Sequence, residues 1–141
     1  MRIMTDIQSP CKTEDFRVII AGSREFNDYE FLKEKCLFFL SSKLKDPKYK
    51  VIIVSGNARG ADSLGERFAK EQNLPLELFP ANWDKYGKSA GYRRNKDMAL
   101  VSNALIAFKL ETAENKGTNN MIEIAQKEHL KVRVIKYGEN K

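Results

Sequence analysis

The chain has 141 residues, 42% of them hydrophobic and 31% charged, with 25 Lys and Arg against 19 Asp and Glu, a net charge of +6. That is enough for one domain with its own core, held together without disulfides or metals. No apolar run approaches the roughly 20 residues that cross a bilayer, so a membrane partner is not expected, and the polar opening MRIMTDIQSPCKTED does not read as a signal peptide. Cys11 and Cys36 are the only cysteines. One falls in a tail and the other in a helical pattern, so no structural disulfide and a reducing, cytoplasmic setting are expected.

Residues 1–15 show no period and read as a mobile tail, and residues 16–141 as a single domain. Arg2 and Lys12 are outnumbered there by Asp6, Glu14 and Asp15, so the positive excess belongs to the domain. Its lysines are scattered and often stand beside glutamate, so charge by itself favours a solvated surface over an anion-binding one.

In chain order, FRVIIAG is a strand stopped by glycine. Asn27 and Glu30 form a cap-like pair ahead of YEFLKEKCLFFLSSKLK, which has helical spacing and ends at Asp46-Pro47. VIIVSG is a second strand and ADSLGERFAKEQN a second helix, with Leu64, Phe68 and Ala69 facing inward. LPLELFP is a weaker third strand. The loop ANWDKYGKSAG leads into a third helix, YRRNKDMALVSN, then a fourth strand, ALIAF. After a polar loop, TNNMIEIAQKEHL is a fourth helix and KVRVIKY a fifth strand. The strands are expected near residues 17–21, 51–55, 76–79, 104–108 and 132–136.

Strand and helix in alternation imply right-handed crossovers and a parallel sheet covered on both faces. Continuous apolar runs such as VIIV fit strands buried on both sides. The expected fold class is α/β, a Rossmann-like three-layer sandwich with strand order 3-2-1-4-5. Its crevice lies at the carboxyl ends of strands 1 and 4.

Three loops meet on that edge: Gly22-Ser23-Arg24, then Ser55-Gly56 through Arg59, Gly60 and Asp62, and finally Lys116-Gly117-Thr118. A strand-to-helix turn aims backbone N–H groups and the positive helix end outward. Small residues let a phosphate approach, and arginine adds a fork of donors. One such loop is often only a tight turn; three on one edge argue for a ligand. Neither the G-x-G-x-x-G of dinucleotide sites nor a P-loop is present. Residues 84–97, DKYGKSAGYRRNKD, form the densest basic segment, with Arg93, Arg94 and Asn95 in the first turns of a helix near the crevice. Cations oppose the dipole there, which favours an anion-binding role. Trp83 could stack on a base or anchor its loop, and Asp62 could accept from ribose or serve as a first-turn helix charge. His129, the one histidine, falls late in the fourth helix. No metal-ligand spacing occurs, and neither a metal nor a cofactor is expected.

Taken together, GSREFNDYEFL, SGNARGAD, FPANWDKYGKSAGYRRNKDMA, ALIAF and GTNNMIEIA resemble the YspA-like branch of the SLOG superfamily across residues 17–136. The resemblance implies a Rossmann-like domain for nucleotides, nucleotide-derived ligands or nucleic acid. Two related groups imply different activities. LOG phosphoribohydrolases release a base from nucleoside monophosphates. Arg94, Gly117 and Thr118 are similar to their motifs, but Met121 occupies the glutamate position, with Glu123 two residues on and Glu66 as a substitute. The DNA-processing protein A family, which binds single-stranded DNA, is similar at Ser55, Gly56, Ala58, Gly60, Ala61 and Asp62, and at Arg94-Asn95-Lys96.

The expectation is binding of a phosphorylated nucleotide or nucleotide derivative. Gly22, Ser23, Ser55, Gly56, Gly60, Gly117 and Thr118 form the cradle, Arg24, Arg59 and Arg94 neutralise phosphate, and Asp62 and Asn95 bond sugar or base. N-glycosidase activity and single-stranded nucleic-acid binding are the alternatives, and a homo-oligomer is compatible with all three.

Overall fold

The computed structural model describes residues 13–111 and 114–138. Strand β1 spans Glu14–Gly22, helix α1 Tyr29–Lys45, β2 Tyr49–Ser55, α2 Ala61–Glu71 and β3 Leu76–Leu78. A four-residue helix α3, Trp83–Tyr86, and a 3-10 turn, Gly87–Ser89, lead into α4, Ala90–Val101. Then follow β4 Ala104–Leu110, α5 Lys116–Lys127 and β5 Lys131–Tyr137. All strand pairings are parallel, in the order β3-β2-β1-β4-β5. This is the expected Rossmann-like α/β sheet of order 3-2-1-4-5.

Alternation along β1 divides the core. Val18 and Ile20 face one way and pack with Leu32, Cys36 and Phe68 under α1 and α2. Ile19 and Ala21 face the other way and meet Met98, Ala99, Met121 and Ala125 of α4 and α5. Successive side chains point to opposite faces of a strand, so one apolar run serves both layers. Cys36 is buried, and burial pushes its thiol pKa up, so it is a core side chain. The edge strand β5 is largely exposed.

Element boundaries differ from the sequence-based expectation in instructive ways. β1 begins at Glu14, because Glu14 and Asp15 pair with Tyr49 and Lys50 on β2; residues 1–12 of the expected tail lie outside the described residues. Asp28, not Asn27, caps α1, its carboxylate accepting from Phe31 N at 3.1 Å. The loop expected before the third helix holds α3 and the 3-10 turn. His129 lies just beyond α5, exposed, with φ 65°. Among the described residues no helix is long and apolar enough to cross a membrane, and no cluster of His, Cys, Asp and Glu could hold a metal ion.

Candidate functional site

Because β1 and β4 are neighbours whose crossovers leave on opposite faces, the loops after them diverge and open a crevice. A cleft of about 660 Å3 occupies that position. It lies within the usual size range of small-molecule sites. Gly22, Ser23 and Arg24 line it from the loop after β1, Arg59 and Asp62 from the turn into α2, and Arg94 and Asn95 from α4. Gly117 and Thr118 complete the lining at the start of α5. The crevice thus gathers residues nearly a hundred positions apart.

Several expected cradle residues are engaged with the protein itself. Ser23 is buried; its hydroxyl donates to Asn115 Oδ1 and accepts from Leu110 N at 2.8 Å. Its carbonyl accepts from Phe26 N and Ala61 N. Ser55 is fully buried and lines no part of the cleft; it donates to Glu66 Oε2 at 2.8 Å and accepts from Asn57 N at 3.0 Å. Ser23 joins the loops after β1 and β4, whereas Ser55 braces the turn into α2.

The glycines divide in the same way. Gly60 has φ 78°, and a Cβ there would run into the Ser23 carbonyl and stand 2.6 Å from Arg24 Cα. It lets two loops lie against each other and does not line the cleft. Gly56 lines a smaller adjoining cavity. A Cβ on it would stand 2.7 Å from Arg94 Nη1 and 2.9 Å from Asp62 Oδ2. The missing side chain leaves room for that guanidinium and that carboxylate to approach the loop from two sides.

Arg94 is half-buried. Its Nη1 donates to the Gly56 carbonyl and its Nε to Asn95 Oδ1 at 3.0 Å. Asn95, itself buried, donates from Nδ2 to Asn120 Oδ1 at 2.9 Å, tying α4 to α5. Asp62 is 7% exposed. Burial pushes its carboxyl up to about 7, against the downward pull of Arg94 and the Ala58 N–H, with Glu66 adding to the rise and Arg24 opposing it. Burial also lowers the Arg94 guanidinium from its ordinary value, with Asp62 opposing. The Asp62 carboxyl therefore changes charge near neutral pH inside the cleft. Arg24 and Arg59 are exposed, and among the described residues neither makes an ion pair or a side-chain hydrogen bond.

Helix ends add to the positive field. No side chain caps α2 at Gly60 or α5 at Asn115, whereas Asp28 caps α1. The Asn115 side chain bonds Ser23 and the Leu110 carbonyl instead. Asp62 of α2 and Lys116, Gly117 and Thr118 of α5 line the cleft, so the positive ends of both helices face it, although the Ala61 N–H is taken by the Ser23 carbonyl.

Tyr92, with Trp83 and Tyr86 a candidate from the sequence for stacking on a base, lines the cleft, as do Lys88, Met98 and Asn115, which sequence reasoning did not select. Asn115 carried a usable signal, an N-cap residue type directly before Lys116-Gly117-Thr118. Arg93 turns away from the cleft; it bonds Ser89 Oγ at 3.1 Å and stands 4.4 Å from the Tyr86 ring centre. Met121 is buried in the cleft lining, while Glu123 and Glu66 line no part of it.

A parallel five-stranded sheet of this order, with a crevice at its central carboxyl edge, defines a Rossmann-like domain. Residues 16–86 match the YspA, cpYpsA-related SLOG family, and the chain belongs to it. It is 33% identical over 129 residues to the Gene 61 protein of Mycobacterium phage D29, covering 87% of this chain and 97% of that one. In three dimensions it is similar to DNA processing protein A (DprA) from Streptococcus pneumoniae, with a TM-score of 0.59 and 17% identity. That likeness, one of fold, covers 85% of this chain and 50% of that one.

Proposed function

We propose that the cleft binds a phosphorylated nucleotide or nucleotide-derived ligand. The observation that carries this reading is the convergence of Arg24, Arg59 and Arg94 with the first turns of α2 and α5 on one cleft. Guanidinium forks and helix N-termini are both suited to phosphate oxygens, and each strengthens the other's field. The Met121 side chain at the glutamate position, with Glu123 and Glu66 off the lining, supports binding rather than hydrolysis of a glycosidic bond.

Calorimetry with mono-, di- and cyclic nucleotides tests the proposal. Nucleotides bind, and Arg59→Ala weakens the binding by about 1.5–3 kcal/mol because a charge-assisted bond to phosphate is lost. No binding across the panel, or equal affinity in the variant, refutes it. Chromatography of nucleoside monophosphates incubated with the protein shows no release of free base.

Single-stranded nucleic acid is the second reading, favoured by the half-exposed rings of Trp83 and Tyr92 at the rim. Oligonucleotide anisotropy at several salt concentrations separates the two. A strand contacting several phosphates gives a log–log slope of about −0.7 per contact, and a single pocket gives a shallow one.

A further inference from the structure

The cleft does not stand alone. A second cavity of about 410 Å3 adjoins it along Arg24, Ala58, Arg59, Trp83 and Arg94, which line both. The three arginines of the rim therefore stand at the waist between two lobes. One lobe reaches Tyr92, Met98 and Met121; the other is bounded by Asn57, Pro80 and Ala81. Charge is concentrated in the middle, and ring or apolar surface lies on either side.

Trp83 is built as a platform in this arrangement. Asn82 caps the short helix that carries it, accepting from Lys85 N at 3.1 Å. The benzene edge of the indole packs over Gly91: a Cβ at Gly91 would stand 3.4 Å from Trp83 Cη2 and 3.7 Å from Arg94 Nη2. One edge of the ring is thus fixed against α4 beside the guanidinium, yet 51% of the residue stays exposed. Anchoring and stacking are compatible uses of one side chain.

We infer that the site takes a pyrophosphate-bridged ligand with an organic group on each side, the chemical class of dinucleotides joined through two phosphates, with one aromatic ring stacked on Trp83. The inference rests on the phosphate-binding reading above and names its ligand class. A mononucleotide carries its charge at one end and fills one lobe. A bridged ligand carries its charge in the middle, where Arg24, Arg59 and Arg94 stand. The count of charges agrees as well. Three guanidinium groups at the waist exceed the two negative charges of a pyrophosphate diester, so the bridge is neutralised there whatever the charge on Asp62, which lines the main lobe alone. The other charged residues of the main lobe, Lys88 and Lys116 with Glu25 and Glu114, are exposed and cancel in sign.

Trp83 is the sole tryptophan, so its fluorescence reports on its own face. The test compares NAD+, AMP, inorganic pyrophosphate and the dinucleoside monophosphate ApA by calorimetry and fluorescence. The expected result is that NAD+ binds about 10-fold or more tightly than the other three and quenches the tryptophan. Trp83→Ala then loses about 10-fold in NAD+ affinity, in line with one stacking contact. Trp83→Phe keeps most of it, and pyrophosphate affinity does not change in either variant. AMP binding as tightly as NAD+, with dependence on Arg59, overturns the bridged ligand and leaves the nucleotide-binding reading standing. ApA binding more tightly than NAD+ overturns it in favour of a phosphodiester. Absence of binding by all four probes overturns both readings.

Discussion

Toward the amino end of the sheet, three cations have carboxylate partners. Arg17 donates to both carboxylate oxygens of Glu77, at 2.9 and 3.0 Å, and lies 3.7 Å from Asp15. Lys48 is 3.7 Å from Glu14, and Lys96 is 2.8 Å from Glu128. At the carboxyl end, Arg24 and Arg59 make no such pair among the described residues, and Arg94 shares its space with a carboxyl group that burial holds near neutrality. These two sets of cations sit on one scaffold and differ in their partners. Paired charges at the amino end add little stability each and leave nothing for a ligand. Clustered, unpaired cations around a cleft repel one another, and an anion that enters relieves the repulsion. A site can therefore be recognised by which charges the fold leaves unanswered.

The comparison can be broken most forcefully at Gly60. It belongs to the carboxyl rim, yet its role is to let two loops touch, so Gly60→Ala should cost stability. A side chain at φ 78° that meets the Ser23 carbonyl is expected to cost about 2–4 kcal/mol, read from denaturant unfolding. A neutral result would mean that the loops are not held against each other.

Asp62→Asn sharpens the contrast through pH. The folded carboxyl titrates near 7 and the unfolded one near the ordinary aspartate value, so the folded state holds a proton that the unfolded state has released. Stability from this group is therefore present in acid and declines as pH rises between about 4 and 7. Above that window the variant, which has no charge to bury, should be more stable than wild type by on the order of 1–3 kcal/mol. At pH 5 the two melting curves should lie much closer together. Binding follows the same sign: affinity for an anion whose own charge is constant rises as pH falls from 8 to 6, and the variant loses most of that slope. A variant less stable than wild type at pH 8 would show that Arg94 depends on the ionised partner.

The smallest effect is expected at the amino end. Arg17→Ala removes the Glu77 fork, a part-exposed pair, and should cost up to about 1 kcal/mol. Nucleotide affinity should not change. Arg59→Ala should do the reverse, leaving the melting temperature in place while binding falls. If both variants changed binding alike, the two ends would not be electrostatically distinct.

Much of this organisation is legible in the chain. VIIVSG and ALIAF announce buried parallel strands, and Gly22, Gly56 and Gly117 mark where they or their connections turn at one edge. Nine of the twelve expected site residues line the main cleft, and Gly56 lines the cavity beside it. Ser55 and Gly60 show why the rest were harder to read. A hydroxyl or a glycine in a rim loop looks the same in sequence whether it meets a ligand or the neighbouring loop. Asn27 and Asp28 are both good caps, and only the observed backbone decides between them.

The sequence by itself determined the strand–helix alternation, and with it a parallel sheet whose strand-to-helix loops share one edge, while the order of the strands was settled by their packing. Periodicity and turn chemistry are local, and crossover handedness follows from chirality. Tertiary structure alone decided that Ser23 is bonded within the protein, that Asp62 is buried beside Arg94, and that Trp83 stands between two cavities. Those properties depend on desolvation and on neighbours that arrive from distant parts of the chain, as Arg94 does at Gly56, 38 residues away.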